Sequence, residues 1–190
     1  MNSFESDIVA AAGILEKGGL ILYPTDTIWG IGCDATDEKA VERIFSLKNR
    51  PEEKTMIILL AEEKEIHHYV SSPDPRVFDY LQTTGKPTTV IYENAKGLAA
   101  NVISKDGSVG IRICKDEFCK QLINRFGKPI VSTSANTSGN PSPASFKDIS
   151  EEIKRGVDYV IKYRQNDLSP ATPSSVVRWN KGGTVTVLRP

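Results

Sequence analysis

Four groups of residues combine types and spacings that could do chemistry. Tyr23-Pro24-Thr25-Asp26-Thr27 closes an apolar run, Leu20 to Tyr23. Hydroxyls and a carboxylate at a strand end suit a polar ligand. The same residues cap a turn through their own backbone, and taken alone they favour the turn. Lys48-Asn49-Arg50-Pro51 with Lys54 places three cations just past a helix end. A helix C-terminus attracts cations, which accounts for Lys48. Arg50 and Lys54 also fit a phosphate clamp, the guanidinium giving forked bonds and the ammonium a point charge, and the two readings weigh evenly.

The third group is Ser132-Thr133-Ser134-Ala135-Asn136, followed by Ser138-Gly139. Backbone and hydroxyls approach an anion closely only where side chains are small. The run exceeds what one helix cap requires, so it is read as functional. The fourth is scattered: Arg112 in the apolar stretch Val109 to Ile113, Ser174-Ser175, and Arg189 beside the last residue. An arginine among apolar neighbours must pair with something, either a protein carboxylate or a ligand carboxylate. The residues alone favour the protein carboxylate.

Several familiar sites are missing. Gly85-Lys86 and Gly127-Lys128 are each followed by proline and lack the earlier glycine of a P-loop. Gly30-x-Gly32-x-x-Ala35 lies in a strand-like stretch and does not open a helix, unlike a dinucleotide fingerprint. No G-x-S-x-G elbow occurs. Cys33, Cys114 and Cys119 are three in number without C-x-x-C spacing, and His67 and His68 are adjacent. No metal site is expected from these. The cysteines read as structural thiols of a reduced cytoplasmic protein.

The elements that must position these groups follow from periodicity. Helices are expected over Glu5–Lys17 (Ile8, Val9, Ala12 and Leu15 inward), from an Asp37 cap to near Asn49, over Glu62–Val70, Asp74–Thr83, the Phe118–Phe126 face ended by Gly127 and Pro129, and Lys147–Arg155. Strands are expected at Leu20–Tyr23, Ile28–Cys33, Thr55–Leu60, Thr88–Tyr92, Ser108–Ile113, Pro129–Val131, Val157–Ile161, Ser174–Arg178 and Thr184–Leu188, with Ser132–Ser145 as a loop. Strands and helices alternate without repeat or linker. The expectation is therefore α/β (α+β), a twisted mixed sheet flanked by helices with a concave ligand site, in one domain over residues 1–190. With 24 basic and 24 acidic residues in 190, net charge is zero, so any nucleic-acid contact needs a local patch. The N-terminus lacks the pattern of a signal peptide, and the apolar runs are too short for a bilayer, so no membrane role is expected.

YPTDTIWGIGCDA, SLKNRP, GKPTTVIY, VGIRI, PIVSTSAN, PSSVV and VLR occur in one order over nearly the whole chain. In this the chain resembles the YrdC/Sua5 family, in its short single-domain form. The resemblance implies a threonylcarbamoyl-AMP synthase, a nucleotidyltransferase that condenses L-threonine, bicarbonate and ATP, with magnesium accompanying the nucleotide. Pyrophosphate leaves, and a separate tRNA threonylcarbamoyl transferase uses the product. It further implies that Lys48 and Arg50 face the ATP phosphates. Lys54, Ser108, Ser134, Asn136, Ser142 and Arg189 are implied as ATP contacts, and Thr27, Arg112, Ser132 and Ser174 as threonine contacts. Two departures stand out. Thr84-Gly85-Lys86-Pro87-Thr88-Thr89 replaces a tryptophan-led G-P-[VL]-T, and Leu59 stands where some relatives carry histidine. An alternative within the same fold is a module contacting tRNA or double-stranded RNA, or serving ribosome assembly. Zero net charge weighs against it.

Overall fold

The computed structural model describes residues 4–49, 56–169 and 171–190. Among these residues nine strands form one mixed sheet: β1 Ile21–Tyr23, β2 Gly30–Gly32, β3 Ile57–Leu60, β4 Thr88–Tyr92, β5 Val109–Ile113, β6 Ile130–Ser134, β7 Tyr159–Val160, β8 Ser175–Trp179 and β9 Val185–Arg189. Their order across the sheet is β7-β1-β2-β6-β3-β5-β4-β8-β9. β7 with β1, β3 with β5 and β4 with β8 are parallel; the other pairs are antiparallel. The helices are α1 Glu5–Leu15, α2 Glu38–Leu47, α3 Ile66–Tyr69, α4 Arg76–Thr83, α5 Glu117–Phe126 and α6 Glu151–Gly156.

The helix signals act as their chemistry requires. Asp37 caps α2 by accepting the Lys39 and Ala40 N–H groups, and Ala40, Val41, Ile44 and Phe45 form its buried stripe. Asp116 caps α5 through the Cys119 N–H and also pairs with Arg164 at 2.6 Å. Phe118, Cys119, Leu122, Ile123 and Phe126 face inward, so Cys119 is a core residue as expected. Its thiol donates to the Pro24 carbonyl at 3.3 Å, and burial pushes its pKa up.

Four expectations need correction. In α1 it is Ala11, not Val9, that joins Ile8, Ala12 and Leu15 in the core; Val9 is 46% exposed. The cause is Asp7. Its buried carboxylate accepts the Tyr159 hydroxyl at 2.7 Å and the Lys162 and Tyr163 N–H groups at 3.0 and 2.8 Å, which rotates the inward face by one position. Glu62–Val70 is a 3₁₀ turn over Glu63–Glu65 running into the short α3. Lys147–Arg155 likewise divides into a 3₁₀ turn at Phe146–Asp148 and α6. The fourth correction matters most for function: Ser132, Thr133 and Ser134 are strand, not loop.

β6 extends through those three residues because it has neighbours on both sides. Gly30 pairs with Ser134 and Ile31 with Thr133 on one side; Ile57 pairs with Ser132 and Ile58 with Val131 on the other. Pairing with β2 on one edge and β3 on the other outweighs the weak strand preference of serine. Close approach of β2 depends on Gly32. A Cβ there would lie 2.7 Å from the Tyr23 ring and 2.8 Å from the Val131 carbonyl. Among the described residues no helix is long and apolar enough to cross a membrane.

Candidate active site

A cavity of about 230 Å³ opens where the ends of these strands meet. Its wall includes Thr27 and Ile28 from the turn after β1, Gly30 of β2, Met56 and Ile57 at the start of β3, and Arg112 of β5. Ser132, Thr133 and Ser134 of β6 continue it, with Ser142, Ser174, Val176 and Arg189 closing the far side. Ser132 and Ser134 are two apart on one strand and so share a face. Gly30 keeps the space open, since a Cβ would meet the Ser132 hydroxyl at 3.4 Å and the Thr133 carbonyl at 3.2 Å.

The turn carrying Thr27 is locked by its own hydroxyls. Thr25 Oγ1 donates to the Ile28 carbonyl at 2.7 Å, accepts the Thr27 N–H at 3.1 Å and lies 2.9 Å from Thr27 Oγ1. The turn reading and the ligand reading of this motif therefore coexist, because the turn places Thr27 in the wall. Below it, the Tyr23 hydroxyl donates to the Val131 carbonyl at 3.2 Å, and burial pushes the phenol pKa well above its ordinary value.

Arg112 is buried, its side chain 3% exposed. Its Nη2 lies 3.0 Å from Asp26 Oδ1. The protein partner favoured from sequence is thus Asp26, the acid of the Tyr23–Thr27 motif. The contact has ion-pair distance without hydrogen-bond alignment: Arg112 Nε and Nη2 and Asp26 Oδ1 are buried without a hydrogen-bond partner. Arg189 reaches back from β9, donating from Nε to the Ser174 carbonyl at 2.9 Å and from Nη2 to Ser174 Oγ at 3.4 Å. Ser174 Oγ in turn lies 2.8 Å from Thr89 Oγ1. Burial first, and then the like charge of Arg112, lower the Arg189 pKa. Two guanidinium groups share the cavity with one neighbouring carboxylate, an arrangement that attracts anions.

Seven of the sequence-derived positions, Thr27, Arg112, Ser132, Ser134, Ser142, Ser174 and Arg189, come together in this wall. Three do not. Lys48 is buried, 1% exposed, and its ammonium donates to the backbone carbonyls of Ser134 and Asn136. It supports the end of β6 from behind and does not line the cavity. Asn136 spends its amide on the Thr137 and Asn140 carbonyls at 3.0 and 2.7 Å, shaping the loop after β6. Ser108 precedes β5, four residues from Arg112, and its hydroxyl donates to Asp106 at 2.6 Å. Four residues of strand span about 13 Å. Arg50 and Lys54 lie outside the described residues. Sequence reasoning missed Asp26 as the partner of Arg112, and also Gly30, Ile57 and Val176. The last three carried no signal, being apolar or glycine positions in strands.

The arrangement defines an α/β protein whose mixed sheet holds a hydroxyl-lined, cationic cavity. The chain belongs to the Sua5/YciO/YrdC family, whose model, described as telomere recombination, matches residues 13–190. It is 30% identical over 186 residues to a threonylcarbamoyl-AMP synthase of Pseudoalteromonas translucida, covering 96% of this chain and 98% of that one. Among solved structures it resembles P. abyssi Sua5 complexed with L-threonine, with TM-score 0.86 and 27% identity. That match covers 98% of this chain but 54% of the other, so the chain spans about half the length of that protein. E. coli YciO shares the fold, with TM-score 0.83, 24% identity and 97% and 88% coverage.

Proposed function

We propose that this chain is a threonylcarbamoyl-AMP synthase, joining L-threonine, bicarbonate and ATP in a nucleotidyl transfer that releases pyrophosphate. The observation that carries the reading is Arg112: a buried guanidinium in the cavity wall with Nε and Nη2 unsatisfied. A buried donor without an acceptor is costly, and a ligand carboxylate would satisfy both nitrogens in a fork. Thr27, Ser132 and Ser174 provide hydroxyls for the rest of an amino acid. Both the relative from Pseudoalteromonas translucida, by its name, and the threonine complex of P. abyssi Sua5 support this substrate.

The chemistry asks little covalent work of the protein. The free amine of threonine bonds to the bicarbonate carbon as a C–O bond breaks and water leaves, giving a carbamate. A carbamate oxygen then bonds to the α-phosphorus as the bond to the β-phosphate oxygen breaks, and pyrophosphate departs with the electron pair. Catalysis is then positioning and charge stabilisation. Arg112 holds the carboxylate, and Arg189, Ser134 and Ser142 face the nucleotide side. Arg50 and Lys54 belong to the same scheme as phosphate contacts. The cavity is smaller than the about 300 Å³ at which drug-sized sites begin, so it takes the amino acid while the nucleotide extends along its open side. Among the described residues no group of three or more His, Cys, Asp or Glu converges to hold a metal. Magnesium accompanies the ATP as part of the substrate in this scheme. The product passes to a tRNA threonylcarbamoyl transferase, in the cytoplasm.

Pyrophosphate release should require ATP, threonine and bicarbonate together, tested by omitting each in turn. Release that ignores threonine would overturn the assignment. Tight RNA binding without such release would favour the RNA-contacting alternative.

A further inference from the structure

Asp26 is the residue of the cavity region whose role the reaction does not yet use. It stands next to Thr27, which lines the cavity, yet Asp26 itself is not in the wall. Its side chain is 11% exposed, and Oδ1 is buried 3.0 Å from Arg112 Nη2. Among the described residues Oδ2 has only a long contact, 3.5 Å, from the Lys115 N–H. The hydroxyl bonds of Thr25 fix the turn on which it sits. The carboxylate thus lies behind the cavity wall and meets Arg112 at Nη2, leaving Nε without an acceptor, and it is the one acid paired with either cavity guanidinium among the described residues.

We propose that Asp26 is a positioning and specificity-determining residue. It aims the Arg112 guanidinium at a carboxylate and offsets its charge, so that the amino-acid subsite takes a monoanion in preference to phosphate groups. This rests on Arg112 receiving the threonine carboxylate. A buried cation with no local carboxylate binds whichever anion carries most charge. Two such cations sit here beside a substrate, ATP, whose phosphates could enter the wrong subsite. With Asp26 in place the pair of arginines carries one surplus charge; without it, two. Loss of the carboxylate therefore has two effects of opposite sign. The fork loses its aim, which weakens threonine binding. The cavity gains net positive charge, which strengthens binding of inorganic phosphate.

The test uses the full chain with Asp26→Asn, and Arg112→Lys alongside. Thermal unfolding establishes that each variant is folded. Asp26→Asn should raise the threonine KM by about 10- to 100-fold, the scale of a misplaced contact group, with the ATP KM little changed. Inorganic phosphate should become a tighter inhibitor competing with threonine. Asp26→Glu keeps the charge one methylene further away; its threonine KM should lie between wild type and Asp26→Asn, with phosphate inhibition near wild type. If Asp26→Asn does not fold, Asp26→Glu decides, and an unchanged threonine KM there overturns the proposal. Equal loss of affinity for both substrates, or unchanged or weaker phosphate inhibition in Asp26→Asn, also overturns it. If Arg112→Lys leaves the threonine KM untouched, the carboxylate reading itself fails. If Arg112→Lys raises it and Asp26→Asn does not, only the role of Asp26 falls.

Discussion

At the scale of single residues, the chemistry of this cavity turns on how a guanidinium is satisfied. Arg112 has a carboxylate at ion-pair distance and still has donors to spare. Lysine at that position would keep the charge but lose the planar fork. Arg112→Lys should therefore raise the threonine requirement far more than the ATP requirement, read as separate KM values in the pyrophosphate assay. An equal change in both would mark Arg112 as a structural partner of Asp26 alone. Arg189 differs in kind. Its Nε and Nη2 already donate to Ser174, and its pKa is lowered by burial and by Arg112. It brings charge to the cavity with part of its fork committed to protein.

At the scale of elements, β6 is the member that assembles the site. It lies between β2 and β3, and pairing with both keeps Ser132, Thr133 and Ser134 extended. Lys48, at the C-terminal end of α2, holds the Ser134 and Asn136 carbonyls where β6 gives way to its loop. Its ammonium thereby serves the backbone that presents Ser134. Lys48→Met keeps the apolar stem and removes the donor. Leaving buried carbonyls unpaired costs about 1–3 kcal/mol each. The variant should lose thermal stability and turnover together. Wild-type stability with activity lost would restore a direct phosphate role. Gly30 and Gly32 serve the same assembly from β2, one holding the cavity open and the other letting β2 lie against Tyr23 and β6.

At the scale of the whole molecule, charge decides what the chain can hold. The net charge is zero, while the cavity concentrates two arginines beside one acid. A local positive site in a neutral protein favours a small anion over a long polyanion, because RNA affinity grows with the number of phosphates neutralised and collapses with salt. The isolated chain should form and release its adenylate without tRNA and bind tRNA only weakly at near-physiological salt. Product analysis without tRNA and a binding titration at two salt concentrations check this. Tight, salt-resistant tRNA binding would contradict it.

What the sequence determined by itself was the alphabet of the site and most of the secondary structure. Capping residues, apolar periodicity and small-residue runs act over a few positions, and those signals are written locally: Asp37 caps the helix expected of it, and Gly127 ends α5. The family motifs likewise pointed to seven wall residues. Tertiary structure decided the rest, because the deciding partner was distant in the chain. Ser132 to Ser134 read as loop until β2 and β3, both far earlier in the chain, paired with them. The meeting of the Lys48 ammonium with the Ser134 and Asn136 carbonyls, likewise, is made by the fold. Val9 gave way to Ala11 because Asp7 is held by Tyr159, Lys162 and Tyr163. Asp26 met Arg112 only because the turn after β1 and the strand β5, 86 residues apart, converge on one cavity.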